Sequence, residues 1–274
     1  MEELFGSLTQ GAAILFNPDT FLLTVLYMIG GLLLGMFVGA LPGLTTLTAM
    51  AILLPIVFFL PPIFGIPFLL GIYKGGIYGG SIPAILVSMP GTGAAVATTF
   101  DGPALTRQGK GRKALEMALF SSVAGDFTSG VAAERAGAKA LEGERLKWSE
   151  FKASGRTIAR STVIGTSIGM IPGVGQVVAA FVGYAAAKNA SKHPERYGKG
   201  ELDGIAAAEA ANNAVNGPTL VPMLTFGIPG DNITAILLGA FVAVGMRPGP
   251  QLMVEQGPQV FAILLAMLLA NVLF

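Results

Sequence analysis

The sequence contains no cysteine and a single histidine, His193, and only 12% of its 274 residues are charged. Without cysteine the chain can form no disulfide bond, thiolate nucleophile or thiolate metal site. His193 lies in the polar stretch 191–199, so a histidine-based zinc site or catalytic triad has no support. The phosphate-binding pattern G-x-x-x-x-G-K-[ST] is also absent from the sequence. The chain is therefore predicted to be neither an enzyme nor itself an ATPase, and to use no cofactor.

Long apolar runs take the place of the missing charge. Hydrophobic residues make up 53% of the chain, and its mean hydropathy is +0.68. A soluble domain usually carries about twice this charged fraction. The apolar runs cover residues 21–41, 44–60, 158–187, 221–246 and 259–274. Because a membrane-spanning helix needs about 20 mostly apolar residues, the sequence predicts an integral membrane protein with roughly seven to nine membrane segments.

Basic residues are confined almost entirely to three stretches, 107–113, 135–160 and 188–199, with Lys74 and Arg247 as the exceptions. The positive-inside rule predicts that all three stretches are cytoplasmic. The acidic N-terminal stretch is expected on the opposite side, with the first apolar run as insertion signal, since a cleavable signal peptide would begin with basic residues. A net charge of +1 gives no reason to expect nucleic acid as a partner. The predicted partner is the lipid bilayer.

Four Pro-Gly pairs interrupt the apolar runs in a repeated order. The pattern G-x-x-x-G-x-x-P-G occurs twice, and each copy is followed by two prolines seven residues apart, the second of which precedes glycine. The pairs are break A (Pro42-Gly43), break B (Pro90-Gly91), break A′ (Pro172-Gly173) and break B′ (Pro229-Gly230). This order indicates an internal duplication. We predict an all-α polytopic membrane protein with a first membrane repeat at 1–133, a polar cytoplasmic connection at 134–157 and a second, apparently truncated repeat at 158–274.

Each break is expected to interrupt a helix, because proline removes an N–H donor and glycine admits positive φ. In hydrocarbon, an interruption is tolerated only where protein or a water-filled cavity satisfies the freed backbone groups. A single motif of this kind would more simply pack or kink a helix, but four at duplicated positions favour a binding site. Break A′ also divides the run between two basic stretches into arms of about 14 residues, roughly 21 Å each, which predicts a re-entrant hairpin.

The residues after breaks B and B′ are predicted to begin new helices. Thr92 and Gly93 follow break B, and Asp231 and Asn232 follow break B′. Helix N-termini carry a partial positive charge and attract anions. Together with the four breaks, these residues form the predicted substrate site for a carboxylate. A purely structural role for Asp231, as the N-cap of a helix, is an equally good interpretation.

A polar group in an otherwise apolar segment is the predicted ion-coupling site. Glu209, Asn212 and Asn213 share one face if the segment is helical, and a carboxylate with amide oxygens suits Na⁺ or a proton. The alternative is a hydrated structural cluster at the membrane interface. Lys74 is an isolated charge that could pair with a substrate carboxylate, although extension of its side chain to the interface is favoured. Asp126 is a weaker candidate of the same kind.

These motifs resemble those of the large permease subunit of the tripartite tricarboxylate transporters, the TctA-like family. The similar stretches are 35–55, 71–102, 160–175, 206–214 and 222–250. The resemblance implies a multi-pass permease of the bacterial inner membrane that takes up citrate-like or other carboxylates by symport with an ion. It also implies two partners, a small membrane subunit and a periplasmic solute-binding protein.

The sequence departs from the family's pattern in three respects. Family members are far longer, the run 259–274 stops without a polar flank, and Lys74 stands where the family is expected to hold an uncharged residue. One span at 114–133 also cannot join two cytoplasmic stretches. These departures keep open a non-transporting fragment, a channel or an assembly subunit. A remote alternative is an intramembrane aspartyl protease that uses Asp126 and Asp231.

Overall fold

A computed structural model describes residues 2–127 and 144–273 of the protein, and within these residues the backbone forms helices and no β-strand. This confirms the all-α prediction, while the predicted repeat boundary at 133/134 falls outside the described residues. The α-helices are α1 (Glu2–Leu15), α2 (Pro18–Gly39), α3 (Thr46–Val57), α4 (Pro62–Val87), α5 (Gly102–Arg107), α6 (Gly111–Phe127), α7 (Trp148–Ala153), α8 (Gly155–Gly169), α9 (Gly175–Ala190), α10 (Leu202–Asn213), α11 (Leu220–Phe226), α12 (Asn232–Ala243), α13 (Leu252–Glu255) and α14 (Gly257–Leu273). Two 3-10 helices cover Ala94–Phe100 and Pro194–Arg196.

Helix α4 lies at the centre of the first half of the molecule, residues 2–127, and packs against α2, α3, α6 and α14. Its contact with α2 is made by glycines spaced four residues apart on both helices: Gly31, Gly35 and Gly39 on α2, Gly71, Gly75 and Gly79 on α4. A Cβ atom at any of these positions would overlap the backbone of the facing helix. The glycine spacing therefore fixes how closely the two helices approach.

The second half, residues 155–273, repeats this packing between α8 and α10. Gly165 of α8 approaches a carbonyl of α10, and Gly169 approaches the carbonyl of Val215, two residues after α10 ends, in the spacing in which glycines of α2 approach carbonyls of α4. The equivalent contacts are Gly35–Ile72 and Gly39–Gly76 in the first half, Gly165–Ala211 and Gly169–Val215 in the second. Helix α9 folds back against α8 and also contacts α10. The arms on either side of break A′ therefore pack against each other, and a re-entrant hairpin at this position stays a prediction.

Helix α6, the last helix of the first half, packs against the second half as well, because it contacts both α4 and α10. Near its start, the Nζ atom of Lys113 lies 2.5 Å from Glu144 and 2.9 Å from Glu150. These ion pairs hold Glu144 and Glu150 against the beginning of α6. Residues 144 and 150 therefore lie close to the basic start of α6, and the cytoplasmic position of these stretches stays a prediction.

Within residues 2–127 and 144–273, one helix, Pro18–Gly39, is long and apolar enough by itself to cross a membrane. Three shorter apolar helices cover Thr46–Val57, Asn232–Ala243 and Gly257–Asn271. Breaks A and B′ explain two of the short lengths, since α3 begins just after break A and α12 just after break B′. The predicted total of seven to nine membrane segments stays a prediction.

Candidate binding cavity and buried polar clusters

Breaks A and A′ adopt the same turn. Gly43 has a φ of 89° and Gly173 a φ of 80°, a conformation that glycine adopts without a steric penalty. Just before each Pro-Gly pair, the N–H of Leu41 donates to the Val38 carbonyl at 3.1 Å. The N–H of Ile171 makes the matching bond to Ile168 at 3.0 Å. The sequence repeat is therefore also a repeat of local conformation at these two positions.

Breaks B and B′ match each other in the same way. The residue two positions before each break has positive φ, Ser88 at 59° and Gly227 at 70°. In the first half, the N–H of residue 89 donates to the Pro83 carbonyl at 3.2 Å. In the second half, the N–H of residue 228 donates to the Pro222 carbonyl at 3.3 Å. Both preceding helices thus end in a left-handed residue, which satisfies carbonyls that would otherwise have no partner.

A helix begins after break B, at Ala94. It is a 3-10 helix, Ala94–Phe100, rather than an α-helix. β-Branched residues reduce helix propensity in this segment. Thr99 also bonds through its hydroxyl to the Val96 carbonyl three residues back, at 2.6 Å, which competes with the α-helical pattern. After break B′, in contrast, α12 is a regular α-helix of 12 residues.

The four breaks meet at one cavity of about 270 Å³. Its wall consists of residues 45–47 after break A, 92–94 after break B, 173–177 at break A′ and 231–233 after break B′. Three α-helices, α3, α9 and α12, begin at this wall. The N-termini of α3 and α12 are capped by the side chains of Thr45 and Asp231, and the Asp231 carboxylate also lines the cavity. Helix α9 has no side-chain cap, so its first N–H groups are not occupied by a capping side chain.

The predicted substrate residues divide into two groups around this cavity. Those that line it are Thr92, Gly93, Gly173, Asp231 and Asn232. The others are not part of the lining: Pro42, Gly43, Pro90, Gly91, Pro172, Pro229 and Gly230. Their position in the adjoining turns holds the lining in place. The N–H of Gly173 donates to the Gly230 carbonyl at 2.9 Å, which joins breaks A′ and B′ directly.

Asp231 caps α12 and also faces the cavity. Its Oδ1 atom accepts from the Thr234 N–H at 2.7 Å, and its Oδ2 atom accepts from the Tyr73 hydroxyl at 3.4 Å. The Nε2 atom of Gln176 donates to the Tyr73 hydroxyl at 2.8 Å and to Asn216 Oδ1 at 2.7 Å. Sequence analysis missed Tyr73, Gln176 and Asn216. The signal for Gln176 was a lone amide in an apolar run, three residues after break A′.

Lys74 and Asp126 form a buried ion pair with an Nζ–Oδ1 distance of 3.0 Å. The interpretation that Lys74 extends to the interface is wrong, because the residue is only 2% exposed. Helix α4 is enclosed by its neighbours at this level, so the side chain has no path to the surface. Asn216 donates from Nδ2 to Asp126 Oδ1 at 2.9 Å, which connects the ion pair through Gln176 to the cavity. Asp126 and Asp231 thus have separate partners.

Glu209 is fully buried where α4, α6, α10 and the first 3-10 helix meet. Its Oε1 atom accepts from the hydroxyls of Ser81 at 2.6 Å and Thr98 at 2.5 Å, and its Oε2 atom accepts from Ser122 at 3.1 Å. Asn213 donates from Nδ2 to Ser122 Oγ at 2.9 Å. In the part of the chain that the structure describes, no basic side chain pairs with Glu209.

Asn212 is also fully buried, and neither its Oδ1 nor its Nδ2 atom has a hydrogen-bond partner. An unsatisfied buried amide is costly and points to a ligand or a water that completes it. Asn216 follows one turn later and reaches the cavity through Gln176. Among the described residues, no group of three or more His, Cys, Asp or Glu side chains could hold a metal ion.

Comparison with known proteins gives one family and two relatives. The family model described as tripartite tricarboxylate transporter TctA family matches residues 25–134 and 129–274. The chain is similar to an "uncharacterized 52.8 kDa protein in TAR-I ttuC′ 3′region" of Agrobacterium vitis, at 26% identity over 373 residues that cover 100% of the chain and 74% of the relative. It is also similar to an "uncharacterized protein in TAR-II ttuC′ 3′region" of the same organism, at 38% identity over 40% of the chain and 45% of that relative. No solved structure gives a significant match.

Proposed function

Because the chain belongs to the tripartite tricarboxylate transporter TctA family, we propose that it is a membrane subunit that moves a tricarboxylate or a related carboxylate across the bacterial inner membrane. Transport is driven by symport with Na⁺ or H⁺. The observation that carries the proposal is the convergence of all four breaks on one cavity. The family's tripartite organisation supports two further partners, a small membrane subunit and a periplasmic solute-binding protein.

The substrate carboxylate binds at the helix N-termini around the cavity. Each α-helix contributes the equivalent of about half a positive charge at its N-terminus, and three α-helices begin here. Thr92 and Asn232 add polar side chains to the lining. The N-terminus of α9 is the main positive end available to the substrate, because Thr45 and Asp231 occupy N–H groups of α3 and α12. A volume of about 270 Å³ is suited to a small molecule rather than to a peptide or a polymer.

The coupling cation binds at Glu209, Asn212 and Asn213. A carboxylate buried in a low-dielectric interior is unfavourable unless a positive charge accompanies it. Three hydroxyl groups donate to Glu209, but no basic residue described in the structure neutralises it. The unpartnered oxygen of Asn212 is a suitable further ligand for a hard cation such as Na⁺.

The surface supports a multi-pass position in a bilayer. Large apolar side chains are exposed on several helices, among them Phe37 at 65%, Ile52 at 67% and Phe226 at 68%. Exposed apolar area of this kind is unfavourable in water and is expected on a surface that faces lipid. The matched turns and the matched Gly35–Ile72 and Gly165–Ala211 contacts support two membrane repeats that hold re-entrant hairpins at breaks A and A′.

Uptake of labelled citrate or other carboxylates into proteoliposomes tests the proposal, with the two partner subunits present and with or without a Na⁺ or proton gradient. The Asn232→Leu variant places an apolar side chain in the cavity wall, whereas Asn189→Leu changes an exposed residue at the end of α9. Loss of one hydrogen bond to a charged group corresponds to a roughly tenfold to hundredfold loss of affinity. We expect that loss in Asn232→Leu only.

Equal uptake by both variants would exclude the cavity as the substrate site. No uptake by the unmodified chain, even with both partners and each gradient, would exclude transport. A channel or an assembly subunit would then be the better description of the protein.

A further inference from the structure

The two halves of the molecule contribute matching segments to the wall of the cavity. Residues 45–47 and 175–177 follow the prolines of breaks A and A′ at the same spacing. Residues 92–94 and 231–233 likewise follow the prolines of breaks B and B′ at the same spacing. Each lining position in one of these segments therefore has an equivalent in the other half.

The equivalent positions differ in charge at one place. The first half has Thr92 where the second half has Asp231. Among the described residues that line the cavity, Asp231 alone is charged. Two carboxylates that share a site repel each other. A cavity that binds a carboxylate must therefore receive a different group of the same substrate at Asp231.

The two oxygen atoms of the Asp231 carboxylate differ in their hydrogen bonds. Oδ1 accepts from the N–H of Thr234 at 2.7 Å and from its hydroxyl at 2.9 Å. Oδ2 accepts from the Tyr73 hydroxyl at 3.4 Å, which is longer than the roughly 2.5–3.0 Å of an ordinary bond between a hydroxyl and an oxygen. Because each carboxylate oxygen can accept about two hydrogen bonds, Oδ2 has room for a stronger donor.

The groups beside Oδ2 favour a donor over a cation as that partner. The Tyr73 hydroxyl donates to Oδ2 and accepts in turn from Nε2 of Gln176 at 2.8 Å. A hard cation needs several oxygen ligands with lone pairs directed at it, whereas these neighbours present N–H and O–H groups. An alcohol O–H of the substrate is the better complement.

Asp231 also lies next to the N-terminus of α9. A Cβ atom at Gly175, the first residue of α9, would lie 3.0 Å from the Cβ of Asp231. Since α9 has no side-chain cap, its first N–H groups are available to a carboxylate. The acceptor for an alcohol and the positive helix end for a carboxylate are therefore adjacent. This arrangement suits a substrate that carries the two groups on neighbouring carbon atoms.

We propose that Asp231 makes the cavity selective for hydroxycarboxylates. Its Oδ2 atom accepts a hydrogen bond from an alcohol group of the substrate, while the substrate carboxylate lies at the N-terminus of α9. The inference rests on the proposed function, in which this cavity binds a carboxylate. It adds which second group the substrate carries and which residue recognises that group.

Isothermal titration calorimetry on the purified full chain tests the proposal with two matched pairs of ligands. Citrate and tricarballylate differ only in one hydroxyl group, as do malate and succinate. At pH 8 the carboxyl groups are ionised, so the hydroxyl is the donor that distinguishes the members of a pair. In each pair that binds, we expect the unmodified protein to bind the hydroxylated member about 10- to 100-fold more tightly, the value of one hydrogen bond to a charged group.

Asp231→Asn is the informative variant because the N-cap fixes the orientation of the new amide. The Thr234 N–H needs an acceptor, so the amide oxygen replaces Oδ1 and the amide nitrogen, which cannot accept from an alcohol, replaces Oδ2. The ratio of affinities within a pair should then fall to about one. The control Asp19→Asn makes the same change at an exposed carboxylate in the first turn of α2 and should keep the ratio.

The outcomes separate this inference from the proposed function. Equal affinities within each pair for the unmodified protein, with or without Na⁺, would overturn the selectivity and leave the proposed function standing. A ratio that persists in Asp231→Asn would also overturn it. Binding of none of the four ligands would overturn the proposed function, and this inference with it. The comparison of ligands on the unmodified protein is decisive even if Asp231→Asn fails to fold.

Discussion

Replacement of Glu209 by glutamine should remove the response of the protein's stability to Na⁺. Each hydrogen bond to a charged group contributes about 1.5–3 kcal/mol. Transfer of a carboxylate to a low-dielectric interior costs about 20 kcal/mol in the idealised case and still several kcal/mol after relaxation. The three hydroxyl donors to Glu209 therefore offset the cost at best, and under the proposed function a bound cation would supply the remaining stabilisation.

The size of the Na⁺ effect follows from mass action. At a Na⁺ concentration 100 times the dissociation constant, binding stabilises the folded state by about 2.7 kcal/mol. For a chain of this length, such a change raises the midpoint of thermal unfolding by about 5–10 °C. Thermal unfolding in detergent, with NaCl exchanged for choline chloride at constant ionic strength, measures the difference.

We expect this increase in the unmodified protein and in a control variant, Glu255→Gln, which changes an exposed carboxylate. Glu209→Gln should lose the increase. In choline chloride its midpoint should equal or exceed that of the unmodified protein, because the neutral amide removes an uncompensated buried charge. The same Na⁺-dependent increase in Glu209→Gln would refute the reasoning. No increase in the unmodified protein would exclude Na⁺ and leave the proton as the coupling ion.

Three further changes test other parts of the fold by thermal unfolding. Asp231→Ala should lose about 0.5–2 kcal/mol of stability, because α12 loses its N-cap. Asp231→Asn should keep most of that stability, since asparagine also caps helices. Equal losses in the two variants would argue against a capping role. Gly35→Ala should lose about 1–3 kcal/mol of stability, because its Cβ would overlap the backbone of α4. Gly30→Ala, whose Cβ meets no atom within 4 Å, should not be destabilised. An equal change of stability in the two variants would refute the close packing of α2 on α4. The backbone N–H at position 147 and the Lys113 ammonium group hold the pKa of Glu150 below its usual 4.5. The Lys113–Glu150 ion pair therefore stabilises the fold above pH 4.5, and this contribution is lost as the pH falls through the lowered pKa. Lys113→Ala should therefore lose stability at pH 7 but differ less from the unmodified protein at strongly acidic pH, and an equal difference at both values would contradict the assignment.

The glycine and proline pattern predicted local structure well. Breaks A and A′ show the same positive φ at Gly43 and Gly173, because the conformational limits of glycine and proline act within a few residues. The capping role of Asp231 could be anticipated for the same reason. The 3-10 helix after break B could not, since hydroxyl groups such as that of Thr99 compete there with α-helical bonding.

The partners of buried polar groups lay beyond prediction from sequence. Lys74 gave no indication that it would meet Asp126, and Gln176 none that it would connect Tyr73 with Asn216. Each contact depends on which helices pack together and on their rotation. Apolar sequences specify this weakly, because many faces of such helices are similar.

The sequence by itself determined the apolar, all-helical character of the protein, its family, the repeated order of its four breaks and the polar face of α10. These features follow from composition and from the short-range behaviour of proline, glycine and buried carboxylates. Only the tertiary structure decided that the segments next to the four breaks line one cavity and that Lys74 is buried against Asp126. Both depend on the close approach of α2 to α4 and of α8 to α10, which glycines distant in sequence permit because they have no side chain to separate the helices.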